Sequence, residues 1–166
     1  MVALRAEASE VAEYVVPNPE IDEIDKAIIE QLQVDGRMPY SQLAPVVGLS
    51  EAATRQRVNR LVDGGVMQIV AVSDPARVGL HAQAMAGIKV RGDLRPVAVA
   101  LASIRAVEYV VVTSGRFDIL VEVVCATMAD LFDLLNDSIR PIEGVDEVEL
   151  FTYLQLVKQT YTWGTG

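Results

Sequence analysis

Cysteine and histidine are nearly absent from this chain, and their scarcity limits the chemistry that it can perform. Among 166 residues there is one cysteine, Cys125, and one histidine, His81. A disulfide framework within the chain, a multi-cysteine zinc site and a histidine-based metal cluster are therefore excluded. A lone cysteine also suits a reducing compartment, and we expect a cytoplasmic protein.

Long apolar runs and an excess of positive charge are lacking too. No hydrophobic stretch approaches the roughly 18 residues needed to span a membrane, and no basic segment precedes an apolar one at the N-terminus, so we expect no membrane partner. The net charge of −9 by itself argues against binding to nucleic acid. Residues 50–62 nevertheless hold three arginines against the single acid Glu51, which makes one local basic stripe.

What is present is an ordinary globular composition, with 51% hydrophobic and 22% charged residues. The length fits one large domain or two small ones. Changes in periodicity and the prolines near residue 19 predict an N-terminal extension over 1–19, a first domain over 20–73 and a linker over 74–80. A second domain over 81–161 and a tail over 162–166 follow.

The first domain shows helical periodicity. Apolar residues at three- and four-residue spacing predict a helix from Ile21 that ends at Gly36. A short helix over 41–47, with Ser41 as its cap, precedes a Gly48-Leu49 turn. Ser50 then caps a helix from Glu51 to Asp63, and residues 66–72 read as a strand. This order predicts a winged helix-turn-helix.

The outward face of the third helix is polar and is flanked by arginines, which suits a DNA major groove. Its predicted inward residues are Thr54, Val58, Leu61 and Val62. For Arg57, pairing with an acid of the first helix is an equally good interpretation, and a merely solvated face is the alternative for the whole surface. The candidate DNA contacts are Ser50, Glu51, Arg55, Gln56, Arg57, Asn59 and Arg60.

The second domain alternates between strands and helices in the order βαββαβ, so the fold class is α+β with a ferredoxin-like sandwich. Strands are predicted over 81–90, 107–112, 118–124 and 145–157. One helix is predicted over 94–104, capped by Asp93. A second begins after a Thr127–Asp130 capping box, with an inward stripe of Met128, Leu131, Leu135 and Ile139.

Several short motifs in their order and spacing resemble the Lrp/AsnC family of transcriptional regulators. They are Ile24-Asp25, Asp35-Gly36-Arg37, Val47-Gly48-Leu49-Ser50, Arg57-Val58, Gly65-Val66, Thr113-Ser114-Gly115-Arg116-Phe117-Asp118 and Leu156-Val157-Lys158. The resemblance implies a protein that binds double-stranded DNA, responds to an amino acid or related small effector, and forms homodimers that assemble into tetramers or octamers. It implies no cofactor.

The turn over residues 113–118 holds both charge signs that a zwitterionic effector needs. Gly115 could turn the backbone with positive φ, Ser114 and Arg116 could bind a carboxylate, and Asp118 an ammonium group. The alternative is a hairpin in which Arg116 and Asp118 pair with each other or face solvent. The candidate effector residues are Thr113, Ser114, Gly115, Arg116 and Asp118, to which the family resemblance adds Thr152 and Tyr153.

Two other functions compete with the regulator hypothesis. A tetrapyrrole decarboxylase of related shape would need basic groups for an acidic macrocycle, and residues 76–166 have few. A ligand-binding assembly protein with a weak DNA-binding domain would agree with the acidic first domain. No catalytic constellation is visible, so we expect no enzyme. Tyr161 and Trp163 are expected to pack on a partner subunit.

Overall fold

The structure is a computed structural model that describes residues 20–162, 164 and 165. The predictions made for residues 1–19 and for Trp163 lie outside the described residues. The described chain divides into a helical unit, residues 20–71 with the tail from 157, and a sheet unit, residues 72–156. Within the described residues, no helix is long and apolar enough to cross a membrane.

The helical unit contains three helices, α1 (Glu23–Val34), α2 (Tyr40–Val46) and α3 (Glu51–Asp63). Asp22 caps α1 and forms a reciprocal capping box with Asp25, which satisfies two backbone N–H groups that the first turn leaves without partners. Helix α2 begins after Pro39 rather than after Ser41, because the ring of Pro39 already holds the φ of −61° that precedes the helix.

The three helices enclose one apolar core, built on residues that the helical spacing predicts. Ile28, Leu43, Val58 and Leu61 are almost fully buried, and Thr54 is buried beside them. Val62, predicted to face inward, is instead 38% exposed, because it lies at the edge of the α3 stripe. Helix α3 ends at Asp63 as predicted, and Gly64 and Gly65 follow it, with Gly65 at a φ of +70°.

The predicted strand over residues 66–72 is wrong, and with it the wing. Val66 and Met67 pack against the helical core, and both backbone N–H groups donate to the carbonyl of Leu61. Beyond them the chain has no regular structure, and Ile69 and Val72 are exposed. A strand needs a hydrogen-bonded neighbour, and all strands of the described chain lie in the sheet unit.

The sheet unit has the predicted βαββαβ order. A short 3-10 turn (Pro75–Val78) leads into β1 (Ala82–Val90), α4 (Leu94–Ala102), β2 (Val107–Val112) and β3 (Ile119–Cys125). Helix α5 (Met128–Asp133) continues as a π-helical segment (Leu134–Ile139), and β4 (Val145–Thr152) completes the sheet. The strands pair antiparallel in the order β2-β3-β1-β4, so β3 is internal, as its apolar composition predicts.

One face of this sheet carries the core. The alternate residues Ala84 and Ile88 of β1, with Val121 of β3, are fully buried together with residues of α4 and α5. Cys125 is buried at the end of β3, and burial raises the pKa of its thiol.

The predicted stripe of the last helix is wrong in part. Leu131 and Ile139 are buried, but Met128 is exposed and Leu134 replaces Leu135 as the buried residue of the middle turn. The π-helical turn explains the shift, because its wider spacing rotates the apolar positions away from a regular helical period.

The last strand is shorter than predicted. It ends at Thr152, which pairs with Ala84, and one further bond runs from the Tyr153 N–H to the Gln83 carbonyl. No strand continues alongside the rest of the predicted segment to 157, so Leu154 and Val157 are exposed.

No helix of the described residues covers the opposite sheet face. The register places Leu120 and Val124 of β3 on this open face, with Met85 of β1, Tyr109 of β2 and Phe151 of β4. These side chains are half-buried or exposed in the single chain. We call this surface the open sheet face.

Candidate DNA-binding surface and effector turn

The helix-turn-helix is formed by α2, a tight turn and α3. Gly48 adopts a φ of +70°, a conformation that costs glycine little, and this reverses the chain between the two helices. Ser50 caps α3 as predicted, its Oγ accepting the backbone N–H of Ala53 at 3.3 Å. Because Val58 and Leu61 are buried, the opposite face of α3 points to solvent. This solvent-facing surface of α3 is called the recognition face below.

The N-terminal half of the recognition face is polar and exposed. Arg55 is held in two ways: its Nη2 lies 3.1 Å from Glu51 Oε1, and its guanidinium lies 5.4 Å from the centre of the Tyr40 ring on α2. Arginine over an aromatic ring is a favourable cation–π arrangement. Over the whole length of α3 and its cap, the exposed candidate DNA contacts are Ser50, Glu51, Arg55, Gln56, Asn59 and Arg60.

Two acids of α1 hold the other arginines of α3. Arg57 Nη1 donates to both carboxylate oxygens of Asp22, at 2.9 and 2.7 Å, and to Asp25 Oδ1 at 2.9 Å. Arg60 Nη2 donates to Asp25 Oδ2 at 2.5 Å. Arg57 thus pairs with acids of the first helix, which was the alternative to DNA contact for this residue, while the Arg60 side chain remains 58% exposed.

The ion pairs shift two pKa values in the directions expected of a paired acid and base. The hydrogen bond from Arg57 is the main cause that lowers the pKa of Asp22, with the Asp25 backbone N–H adding to it. The hydrogen bonds to Asp22 and then to Asp25 raise the pKa of Arg57 further. Both groups therefore stay charged at neutral pH, and the contact between α1 and α3 is ionic.

Sequence reasoning offered an acid of the first helix as a partner of Arg57, but it did not single out Asp22 and Asp25. It also did not pair Arg60 with Asp25 or place Tyr40 beside Arg55. A signal was available: the two acids are three residues apart on α1, and Arg57 and Arg60 are three residues apart on α3. Equal spacing on two helices allows two pairs to form at one crossing.

The candidate effector turn, residues 113–118, is tied into the sheet by its own polar groups. The Thr113 hydroxyl donates to the Phe117 carbonyl at 2.5 Å, and the Thr113 N–H donates to the Asp118 carbonyl at 2.9 Å. Asp118 Oδ2 accepts the Val90 N–H at 2.9 Å. Asp118 therefore holds the turn against β1, a role that the sequence did not indicate.

Phe117 anchors the same turn on the open sheet face. Its ring is 9% exposed and meets Phe151 edge-to-face with a centroid distance of 6.0 Å. It lies over Gly87, where a Cβ would stand 2.5 Å from the ring. The guanidinium of Arg116 lies 5.2 Å from the Phe117 ring, and its Nη2 lies 2.9 Å from Glu149 Oε2, not at Asp118.

The expected role of Gly115 is not found. Its φ is not positive, and a Cβ at this position would meet nothing within 4 Å. The turn closes through the Thr113 and Asp118 bonds instead, so it does not need a left-handed residue. Ser114, Gly115 and Arg116 are all exposed at its tip.

Thr152 and Tyr153 do not join the turn within one chain. On β1, Thr152 pairs with Ala84, whereas Ile119, next to the turn, pairs with Ile88. Four residues of strand separate these positions by about 13 Å. The Tyr153 hydroxyl instead donates to Glu122 Oε1 at 2.9 Å, and burial with this bond raises the pKa of Tyr153 to about 12.

Among the described residues, no group of three or more histidine, cysteine, aspartate or glutamate side chains could hold a metal ion. Asp22 and Asp25 are engaged with arginines of α3, Asp118 with a backbone N–H group, and Glu149 of β4 with Arg116.

A helix-turn-helix joined to an α+β sandwich defines a class of DNA-binding regulators, and comparison with known proteins identifies the family. Residues 21–62 match the AsnC-type helix-turn-helix domain. Residues 80–166 match a C-terminal dimeric alpha+beta barrel domain of AsnC-type regulators. The chain belongs to the Lrp/AsnC family of transcriptional regulators, as the sequence motifs predict.

Individual relatives agree with this assignment. An uncharacterised HTH-type transcriptional regulator of Pyrococcus furiosus is 32% identical over 146 residues, covering 87% of this chain and 96% of the relative. A proline dehydrogenase transcriptional activator of Rhizobium radiobacter is 33% identical over 147 residues, covering 85% and 94%. The structure of the leucine response regulatory protein of Mycobacterium tuberculosis is 30% identical, with a TM-score of 0.75 and coverage of 84% and 96%.

Proposed function

We propose that the protein binds a pseudo-palindromic DNA site as a dimer and inserts the recognition face of α3 into the major groove. The observation that carries the proposal is that face itself: a capped helix, fixed by its buried side, that presents arginine, glutamine and asparagine side chains to solvent. Arginine suits guanine, and glutamine or asparagine suits adenine. The proposed contacts are Ser50, Glu51, Arg55, Gln56, Arg57, Asn59 and Arg60.

The roles within this set differ with exposure. Arg55 and Gln56 lie in the N-terminal half of α3, the part that reads bases in most helix-turn-helix proteins. Arg60 is nearer the C-terminus and would contact a phosphate. Arg57 is 27% exposed and engaged with two acids, so it would contribute mainly by holding α3 in place.

Fluorescence anisotropy with a labelled duplex from upstream of the protein's own gene tests this function. Gln56→Ala should lower the preference for that duplex over mixed-sequence DNA by about 1–3 kcal/mol, because one base contact is lost. The control is Arg95→Ala, a charge change at an exposed residue of α4, which should leave binding unchanged. Equal binding of wild type and Gln56→Ala to both DNAs would contradict base reading by α3.

The second part of the proposal is that an amino acid or related small molecule binds at the turn 113–118. Ser114 and Arg116 are exposed at its tip and suit a carboxylate, while Glu149 lies beside Arg116. A relative named as a leucine response regulator supports an amino-acid effector. Thr113 and Asp118 hold the turn together, Gly115 lies exposed at its tip, and Thr152 and Tyr153 could join only from another subunit.

A thermal-shift screen of the twenty amino acids tests this site. Arg116→Ala should abolish the response to an amino acid that stabilises the wild type, since the carboxylate contact is lost. Arg105→Ala is a matched control, an exposed arginine outside the turn. A response that survives Arg116→Ala unchanged would place the effector elsewhere, and a wild type that responds to no amino acid would refute this part.

The third part of the proposal is assembly through the open sheet face. Leu120, Val124 and Phe151 lie on a face that no helix of the described residues covers, and a two-fold-related copy would bury them. The description of the matching C-terminal domain as a dimeric barrel supports this arrangement. Dimers would then associate into tetramers or octamers, and sedimentation of the full chain would measure the state.

A further inference from the structure

Two carboxylates, Asp22 and Asp25, meet α3, and their surroundings differ. Asp25 is the buried member: its side chain is 1% exposed, against 52% for Asp22. The Asp25 carboxylate accepts three bonds, from Arg57 Nη1 at 2.9 Å, Arg60 Nη2 at 2.5 Å and the Asp22 N–H at 3.2 Å. A buried carboxylate with three donors is fixed in position, and so are the groups that it holds.

The two arginines use this carboxylate differently. Arg57 is largely covered, and its Nη1 donates to three carboxylate oxygens. Arg60 makes one charged contact, through Nη2, in the described part of the chain and keeps most of its side chain in solvent. A guanidinium has five N–H donors, so Arg60 can be held through one edge while another edge is presented outward.

We infer that Asp25 is a positioning residue of the DNA interface: its buried carboxylate orients Arg60 so that the exposed edge of the guanidinium meets a DNA phosphate. This inference rests on the proposed DNA-binding function and names a residue that never touches DNA. Arg57 donates to the other oxygen of the Asp25 carboxylate and so helps to fix its position. A long side chain held before binding loses less conformational freedom when it binds, which strengthens the contact.

The direction in which Asp25→Asn changes the DNA affinity distinguishes positioning of Arg60 from an effect of net charge. Residues 20–75 hold nine acids and five bases, so removal of any acid should strengthen DNA binding if net charge alone decides. Asp25→Asn makes the domain less negative but loosens Arg60. Positioning predicts weaker binding, about five- to twentyfold in Kd, the range of one positioned charge contact.

The test is anisotropy at several salt concentrations with a mixed-sequence duplex, which is sufficient because phosphate contacts do not depend on sequence. Arg60→Ala should weaken binding and reduce the slope of log K against log salt by about 0.9, as expected for one phosphate. Asp25→Asn should do the same. Asp63→Asn, the same charge change at an exposed residue of α3, should leave binding unchanged or strengthen it.

The decisive measurement is the double variant Asp25→Asn/Arg60→Ala. If Asp25 acts through Arg60, Asp25→Asn has less than a twofold further effect once Arg60 is gone. An equal loss in both backgrounds would mean that Asp25 only stabilises the helical unit, and this would overturn the inference. Tighter binding by Asp25→Asn, or an unchanged Arg60→Ala, would overturn it as well.

Failure of the proposed function has a different signature. A wild type that binds neither this duplex nor the upstream duplex would refute DNA binding itself, and the inference with it. Urea unfolding followed by circular dichroism accompanies each variant. A loss of affinity with an unchanged unfolding midpoint supports positioning, whereas a loss that follows the midpoint refutes it.

Discussion

Gly87 is the position where the smallest chemical change should displace the effector turn. A Cβ added there would lie 2.5, 2.6 and 2.7 Å from three carbons of the Phe117 ring. The ring cannot simply rotate away, because it is buried between Gly87 and Phe151. Gly87→Ala must therefore move Phe117, and Phe117 lies in the turn between Arg116 and Asp118.

The cost follows from the distances. Carbon atoms pack at about 3.5–4.0 Å, so the ring has to move by roughly 1 Å, and overpacking of this kind costs about 1–3 kcal/mol. For a unit the size of residues 72–156, each kcal/mol corresponds to about 4–8 °C in Tm. We expect Gly87→Ala to lower the Tm of the sheet unit by about 5–20 °C and to weaken any effector response at Arg116.

Thermal unfolding followed by circular dichroism measures the decrease in Tm caused by Gly87→Ala, and Gly115→Ala is the matched control. At Gly115 a Cβ meets nothing and φ is not positive, so we expect no loss of stability and a gain of up to about 1 kcal/mol. The double variant Gly87→Ala/Phe117→Ala tests the cause, since removing the ring makes room for the methyl group. If the losses of stability caused by Gly87→Ala and by Phe117→Ala add fully in the double variant, or if Gly87→Ala alone is as stable as wild type, the clash with the Phe117 ring is not the cause.

Three other predictions follow from the charges and from the open sheet face. Arg57 lowers the pKa of Asp22 in the folded state, so this pair contributes stability above the ordinary pKa of 3.8, and the stability is lost as the pH falls through the lowered value. The urea midpoint of the wild type should therefore drop below about pH 4. The same decrease in pH should lower the midpoint of Arg57→Met much less. Tyr153, with a pKa of about 12, should give an ionisation step near pH 12 in an absorbance titration. Its raised pKa contributes stability below about pH 10 that is lost toward pH 12, and Tyr153→Phe should remove this step. Leu120→Glu should shift the protein toward monomer in sedimentation, because it places a charge on the open sheet face. The control Phe132→Glu, on the exposed side of α5, should remain dimeric. If Leu120→Glu is still a dimer, the interface lies elsewhere.

Features decided within a few residues were predictable from the sequence. Ser50, Asp93 and Thr127 cap their helices as predicted, because a capping side chain bonds to backbone only two or three residues away. The strand predicted over 81–90 forms as β1, whose buried residues alternate because a strand places every second residue on one side. The βαββαβ order followed from such local signals taken in sequence.

Features that need a distant partner were not predictable in this way. The apolar, β-branched segment over residues 66–72 fits a strand, but no neighbouring strand is available to it in the helical unit. Asp25 and Arg60 are 35 positions apart, and Gly87 meets a ring 30 positions later. A periodicity shows which face of an element is buried, but it does not show which residue lies opposite.

The charge pattern of the helical unit links DNA binding to assembly. Arg55, Arg57 and Arg60 each have an acid partner, so the recognition face is close to neutral even though its sequence looks basic. Few counterions are then released per domain, and the sequence-independent part of the DNA affinity is small. A chain of this kind gains affinity chiefly by joining two or more recognition helices in one assembly, because the second helix then binds at a high effective concentration. An effector that changes how the sheet units associate would therefore change DNA binding without touching α3.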